Sequence, residues 1–207
     1  MLSLRGNTNP VTIPGAVLYG TVDGKINIVS ASQGLLLTQL QVGIPHGKTK
    51  LARLNDVNTS PLIISNEIYT LAFNGDLKGF ILPSANTIWV RKYASYQNMA
   101  YDLSDIAITD KNSHVYGIIR IDGSERWVNT ALTYRNVTAP AYYGDYVIVG
   151  DYEGYLYWLD SATGEFREKF EVDSSGLYTA PLVDDDVIYV QSRGGDLYAL
   201  KLKNEEE

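Results

Sequence analysis

The chain has 207 residues, of which 45% are hydrophobic, and it carries a formal net charge of −7. This composition is typical of a globular protein and excludes the basic surface that nucleic-acid binding requires. The sequence contains no cysteine, which excludes disulfides, zinc–thiolate sites and thiol catalysis, and no apolar run of ~18 residues that would span a membrane as a helix.

Five segments along the chain repeat one pattern, in which two apolar runs flank a turn. A Pro or Met precedes the turn residue by fourteen positions in the pairs Pro10–Gly24, Pro61–Gly75, Met99–Ser113, Pro140–Gly154 and Pro181–Gly195. A turn glycine between apolar runs predicts a hairpin, most clearly at Asn74-Gly75. A proline at the start of a strand needs no hydrogen-bond donor. Trp89 and Trp127, fourteen positions after their turns, indicate a fourth strand.

The regular phase of these repeats predicts the fold. Turn positions recur at intervals of 51, 38, 41 and 41 residues, and four-strand repeats of this length are typical of β-propeller blades. A β-sandwich would also supply short alternating strands, but not this phase. We therefore expect an all-β chain with one partial propeller of four-stranded antiparallel blades over residues 1–203. The repeats begin near Pro10, Pro61, Met99, Pro140 and Pro181, and residues 204–207 form an acidic tail.

The connection after the first repeat is about ten residues longer than the later ones. Its sequence, "GIPHGKTKLARLNDVNTS", precedes Pro61. In propeller topology this connection lies on the same face as the glycine turns and as "LSLRG", which leads into Pro10. A long loop on a rigid scaffold often carries function, and a tolerated insertion is the alternative interpretation.

The fourth repeat contains an aromatic stretch, "GDYEGYLYWLD", at residues 150–160, with Tyr152, Tyr155, Tyr157 and Trp158. It spans the hairpin whose positions hold Ile, Leu and Gly in other repeats, and each buried aromatic ring removes ~150–250 Å² from water. Strand packing is therefore favoured over a platform that stacks sugars or bases. Tyr152 and Tyr155, nearest the turn, are expected to be the more exposed.

The fifth repeat has three predicted strands instead of four before the chain reaches its acidic tail. Residues before Pro10 complete this blade if five blades close into a ring. If the chain is part of a larger ring, its edges are open. Open edges invite pairing with another copy, which predicts an edge-paired homodimer.

No sequence pattern indicates catalysis or metal binding. The two histidines, His46 and His114, fall in different repeats and lack ligand-spaced neighbours. The acidic run at 184–186 occupies a turn position, and turn chemistry explains it better than calcium binding. Nucleophile-elbow, zincin, phosphate-loop and dinucleotide motifs are absent.

Several stretches of the chain together resemble one family. They are "LSLRG", "ARLNDVNTSP", "LAFNGDLKG", "VIVGDYEGYLYW" and "KFEVDSSGLYTAPLV". They resemble the BamB family, within the pyrroloquinoline-quinone-type β-propellers, over residues 2–203. BamB is the lipoprotein of the outer-membrane β-barrel assembly machinery of Gram-negative bacteria. Because the family's propeller has eight blades, the resemblance implies that this chain is the C-terminal part, about five of eight blades. The lipidated N-terminal cysteine that anchors the family to the membrane would then be absent from it.

The resemblance also implies a role and a site. It implies a non-catalytic scaffold without a cofactor, at the periplasmic face of the outer membrane, which binds the POTRA domains of BamA. The family's Leu-x-Leu-Arg segment matches Leu2, Leu4 and Arg5, and its Asp-Val-Asp motif matches Asp56 and Asn58. Asn58 replaces the family's second Asp, which turns a charge-assisted contact into a neutral one.

Other functions stay open from the sequence. Free blade edges would suit nascent outer-membrane proteins that add a strand. The tyrosines suggest a carbohydrate- or peptide-binding propeller. A quinoprotein enzyme is the remote alternative, because such enzymes need a calcium-bound quinone and usually a disulfide of adjacent cysteines. Without the resemblance, Leu2 and Leu4 would simply continue an outer strand, with Arg5 in solvent.

Overall fold

The computed structural model describes residues 8–44, 48–49, 56–73 and 75–202. Over these ranges the chain forms nineteen β-strands in five antiparallel sheets, and no helix that could cross a membrane is found there. The chain divides into two compact units, an N-terminal unit, Met1–Asn98, and a C-terminal unit, Met99–Glu207.

The N-terminal unit contains two four-stranded sheets, and in each sheet every strand pairs with the next strand along the chain. The first sheet is β1 (Val11–Ile13), β2 (Ala16–Gly20), β3 (Lys25–Ser30) and β4 (Leu36–Gln41). The second sheet is β5 (Leu62–Ile64), β6 (Glu67–Leu71), β7 (Asp76–Ile81) and β8 (Asn86–Lys92). Buried side chains alternate along β2 and β3, as expected for sheets with one buried face. The core between them contains Leu18, Ile26, Leu40, Ile68 and Phe80.

The C-terminal unit contains three sheets with the same strand order. The third sheet is β9 (Ala100–Tyr101), β10 (Asp105–Thr109), β11 (Val115–Ile119) and β12 (Glu125–Asn129). The fourth is β13 (Ala141–Tyr143), β14 (Tyr146–Gly150), β15 (Tyr155–Asp160) and β16 (Phe166–Glu171). The fifth has three strands, β17 (Leu182–Asp184), β18 (Val187–Gln191) and β19 (Leu197–Leu200).

The two middle strands of the fourth sheet are buried on both faces. Val147 packs with Ala107 of the third sheet, and Ile148, the next residue on β14, packs with Ile188 of the fifth. Successive side chains of a strand point to opposite faces, so β14 and β15 read as nearly continuous buried runs. The repeated face-to-face packing of sheets is what the repeat phase predicted.

The hairpin between the second and third strands of a repeat has one recurrent geometry. Gly154 N donates to Asp151 O at 3.1 Å, and Asp151 N donates to Tyr155 O at 3.0 Å. Gly154 has a φ of 93°, which glycine adopts without strain. The loop therefore has three residues with one in the left-handed region. The same backbone bonds recur over 21–25, 110–114 and 192–196.

The structure confirms the four-strand repeats and the position of each turn. The third repeat keeps the turn without glycine, since Ser113 has a φ of 70°. The fifth repeat has three strands as predicted, so β19 has a neighbour on one side only among the described residues. Pairing of such edges between two copies stays a prediction.

The aromatic stretch of repeat four is packed, as its sequence indicated. Tyr157 and Trp158 are each 4% exposed, whereas Tyr152 is 51% exposed and Tyr155 is half-buried. The guanidinium of Arg193 lies 4.2 Å from the ring centroid of Tyr152. These residues therefore form no open platform.

Candidate partner-binding site

The structure describes one of the two segments predicted to bind a partner. Asp56, Val57 and Asn58 lie in the connection that enters β5. The predicted Leu2, Leu4 and Arg5 lie outside the described residues.

The second segment is bound to two hairpin turns by its backbone. Val57 N donates to Thr21 O at 3.1 Å, and Phe73 N donates to Asp56 O at 3.0 Å. Thr8 Oγ1 donates to Val57 O at 2.5 Å. Thr21 belongs to the turn of the first sheet and Phe73 to the turn of the second. These hydrogen bonds therefore attach the segment to both sheets at their turn end.

A close approach of backbone to backbone explains why Gly20 ends β2. A Cβ atom at this position would overlap the carbonyl oxygen of Val57 and the hydroxyl of Thr8. The carbonyl oxygen belongs to the backbone, so it cannot move away from a new Cβ atom unless the whole segment moves. The backbone of Gly20 is not in the left-handed region. Lack of space for a side chain, and not backbone conformation, is therefore what requires glycine here.

Replacing Gly20 with alanine is expected to lower the free energy of unfolding by about 2 kcal/mol, the usual cost of overpacking. Urea denaturation followed by tryptophan fluorescence measures it. Gly194→Ala is the matched control, because the nearest atom to its new Cβ is a serine hydroxyl at 3.2 Å, and we expect a change within ~0.5 kcal/mol. Equal effects of the two substitutions would contradict the close approach.

The predicted acidic residue is buried. Asp56 and Val57 are each 1% exposed, whereas Asn58 is partly exposed. A carboxylate this deep does not reach the surface of a bound protein. Asp56 can therefore shape the segment, while Asn58 is the member that faces solvent.

Exposed apolar side chains lie on the turns and connections that adjoin this segment at the turn end of the N-terminal unit. Val22 is 44% exposed, Ile44 56% and Tyr96 47%. The ring of Phe73 lies 6.4 Å from that of Tyr96, centroid to centroid. We call Val22, Ile44, Phe73 and Tyr96, with Asn58, the end surface. Exposed apolar side chains gathered beside a rigid segment are typical of protein interaction sites.

The backbone attachment of Asp56 recurs in later repeats. Asp56 lies five residues before Pro61, and Arg135 lies five before Pro140. Tyr152 N donates to Arg135 O at 3.1 Å, just as Phe73 N donates to Asp56 O. Sequence reasoning missed this attachment.

A sequence signal for the attachment exists two residues before the proline. Thr59 and Thr138 both occupy this position, and both are buried. The Thr59 hydroxyl donates to Leu71 O at 2.8 Å, and the Thr138 hydroxyl accepts from Gly150 N at 3.0 Å. A buried threonine hydroxyl thus attaches these two connections to the second strand of their sheets.

The C-terminal unit holds a buried carboxylate at its corresponding turn. Asp151 is 0% exposed; its Oδ2 accepts from Arg135 Nε at 2.6 Å and from the Tyr157 hydroxyl at 2.9 Å. Its Oδ1 accepts from the N–H groups of Glu153 and Tyr155, each at 3.0 Å. Burial, and next the hydrogen bond to Asp151, hold the pKa of Tyr157 above its usual range. Every contact of this carboxylate is structural.

The described residues offer little for catalysis. His114 Nδ1 lies 3.3 Å from Asp110 Oδ2, and the Asp110 carboxylate also accepts from two backbone N–H groups of its own turn. No group of three or more His, Asp or Glu residues suited to a metal occurs within the described ranges. Asp184 ends β17 and the next two residues form the turn, as the turn interpretation predicted. His46 lies outside the described residues.

Comparison with known proteins places this geometry in a family. The family model for outer membrane protein assembly factor BamB matches residues 1–129 and 131–206. The chain belongs to the BamB family. Its fold is that of the BamB β-propeller, since the crystal structure of BamB from Moraxella catarrhalis superposes with a TM-score of 0.90 at 25% identity, over 97% of this chain and 60% of that one.

Curated BamB relatives match almost the whole chain. Outer membrane protein assembly factor BamB from Shewanella oneidensis is 37% identical over 97% of this chain and 51% of its own length. The Vibrio cholerae protein of that name is 38% identical over 98% of this chain and 52% of its own length. The Escherichia coli protein is 33% identical over 96% of this chain and 51% of its own length. The chain thus spans about half the length of the curated relatives it matches. A designed protein, Ika8, shares the fold with a TM-score of 0.73 at 16% identity, over 93% of this chain and 57% of that one.

Proposed function

We propose that this chain is a non-catalytic binding subunit of the machinery that assembles β-barrel proteins in the outer membrane. It acts at the periplasmic face and binds the POTRA domains of BamA. The BamB family model, which covers nearly the whole chain, supports the assembly role, and BamB relatives carry that role in their names.

One observation supports the end surface as the binding site. The Asp56–Asn58 segment, which matches the family's motif, is bound by hydrogen bonds to two turns, and those turns and the connections beside them carry exposed apolar side chains. A segment that is already ordered before binding loses little conformational entropy when a partner docks. The Leu2–Arg5 segment is proposed as the second contact, because it matches the family's other motif.

The proposed contact assigns different tasks to the two polar residues of the motif. Asp56 is a positioning residue, because it is buried and its carbonyl holds the turn at Phe73. Asn58 is partly exposed and offers one acceptor and two donors. A neutral side chain at this point gives a weaker hydrogen bond than a carboxylate would. The apolar side chains therefore contribute most of the affinity.

Replacing Ile44 with aspartate is expected to weaken capture of purified POTRA domains at least ~10-fold, because it places a charge in the apolar centre of the contact. Biolayer interferometry against immobilised POTRA domains measures the dissociation constant. Ile121→Asp is the matched control, since Ile121 is 81% exposed in a turn of the C-terminal unit. Unchanged capture by the Ile44 variant, or equal loss in both, would contradict the proposed site.

The alternatives receive less support. A carbohydrate platform needs the aromatic stretch of repeat four to face solvent, and Tyr157 and Trp158 are buried. A quinoprotein activity needs a metal-bound quinone, and the described residues hold no cluster of metal ligands. Binding without catalysis is therefore the function that we propose.

A further inference from the structure

A tryptophan fills the space between neighbouring sheets in the C-terminal unit. Trp127 on β12 pairs across the sheet with Gly117, and its ring lies against that glycine and against Gly164 of the fourth sheet. Its indole N–H donates to Ser161 O at 2.8 Å. The side chain of the fourth strand thus closes the gap to the next sheet.

The first sheet lacks this tryptophan. The matching position on β4 is Thr38, which pairs with Ile28 as Trp127 pairs with Gly117. A groove of about 990 Å³ opens there between the first and second sheets. Thr38 and Ile28 line it, together with Leu37, Leu82 and Pro83. Leu82 corresponds in the repeat to Ser161, the partner of Trp127, so the groove lies where a tryptophan ring would be.

The chemistry of the groove selects a neutral apolar group. None of the residues that line it is ionisable, and most are Val, Ile, Leu or Pro. Its volume is at the upper end of the range for ligand sites. A charged group would lose its hydration there without a partner. An aromatic or large aliphatic side chain would replace the missing ring.

Among the fourth strands of the four-stranded sheets, the strand beside the groove is also the least protected. β4 reads LLTQLQ and has no charged residue, whereas β8 carries Arg91 and Lys92, β12 carries Glu125 and Arg126, and β16 carries four charges. Charges on an edge strand normally prevent pairing with other chains. Leu35, Leu36 and Leu37 are 62%, 53% and 59% exposed. This edge is therefore open to an added strand.

We propose that the β4 edge and its groove bind an extended peptide strand, with one aromatic or large aliphatic side chain inserted where the first sheet lacks its tryptophan. Within the part of the chain that the structure describes, β4 has a neighbouring strand on one side only, and a peptide backbone can satisfy the outward-facing groups that a lipid or small molecule cannot. Alternating apolar and polar side chains would place every second residue toward the groove.

The proposal rests on the proposed function for the class of peptide. Strands of outer-membrane barrels alternate apolar and polar residues over ~10 positions, which is the pattern that this edge would accept. An unfolded barrel strand is therefore the occupant. The site lies on an outer strand, whereas the end surface lies at the turns, so the two can be tested separately.

The test uses a fluorescein-labelled peptide of ~10 residues that alternates Tyr and Thr, the length of a membrane-spanning strand. Its binding to the whole chain is measured by fluorescence anisotropy. Thr38→Trp fills the groove and Leu37→Lys charges the edge, and each is expected to weaken peptide binding at least ~10-fold. Ile88→Lys, at the matching position of β8, is the control and is expected to leave binding within ~2-fold.

The outcomes separate the proposals. Loss of peptide binding in both β4 variants, with Ile88→Lys unaffected and capture of POTRA domains intact, supports the peptide site. Binding that survives Thr38→Trp and Leu37→Lys in folded protein overturns it, even if POTRA capture is normal. Leu37 is 59% exposed, so that variant stays informative if Thr38→Trp fails to fold. A peptide of the same length with alternate residues changed to proline must not bind, because proline cannot donate to the edge.

Discussion

Replacing Trp127 with alanine is expected to lower the free energy of unfolding by about 4 kcal/mol, near the middle of the range for buried aromatic residues. Trp127 is 7% exposed and lies between the third and fourth sheets, against Gly117 and Gly164. Neither glycine has a side chain that can move into the cavity. The loss therefore includes both the transfer term and the full cavity term. Urea denaturation followed by circular dichroism measures it.

A conservative change separates packing from hydrogen bonding at this position. Trp127→Phe keeps most of the ring and removes the indole donor to Ser161 O, so its cost should stay within ~2 kcal/mol. If Trp127→Ala costs less than ~1 kcal/mol, the ring does not hold the two sheets together. The inference drawn from its absence at Thr38 would then lose its structural basis.

Replacing Asp151 with alanine is expected to lower the free energy of unfolding by about 3 kcal/mol, the lower end of the cost of breaking a buried ion pair. The substitution leaves Tyr157 without the acceptor of its hydroxyl and removes the acceptor of two backbone N–H groups. The value is at the lower end because the Arg135 side chain is 25% exposed and regains water. Chemical denaturation at neutral pH measures it.

A second variant at the same position tests which contacts matter. Asp151→Asn keeps an acceptor for the turn N–H groups and loses the charge that faces Arg135, so it should cost about half as much as Asp151→Ala. Asp160→Ala is the control, because Asp160 also caps a turn and pairs with an arginine but belongs to an exposed ion pair. A large loss in this control, equal to that of Asp151→Ala, would contradict the importance of burial.

The repeat phase made most of the fold predictable from the sequence. Turn residues and proline at fixed spacing specify hairpins through local backbone preferences, which act within a few residues. The third repeat shows the same phase without its glycine, since Ser113 adopts the left-handed conformation that the turn requires. Strand position therefore followed from local chemistry in every repeat.

The candidate site was less predictable, because long-range contacts decide it. The motif placed a carboxylate at Asp56 on an expected binding loop, and the structure buries it. Its burial follows from backbone bonds to Thr21 and Phe73, which lie far away in the chain. The groove beside Thr38 was also not predicted. The sequence showed a tryptophan at this repeat position in two repeats, but not what its absence in the first repeat would leave open. An empty position between sheets becomes visible only when both sheets are placed.

Hydrogen–deuterium exchange of the chain with and without the POTRA domains of BamA tests the central claim most directly. The account predicts that binding slows exchange at residues 20–24, 56–60 and 71–73, the turns and connection of the end surface, because docking stabilises them against the local opening that exchange requires. Strands β10, β11 and β12 of the C-terminal unit should exchange at the same rate with and without the POTRA domains. Protection confined to the C-terminal unit, or no protection at saturating POTRA concentration, would contradict the proposed site.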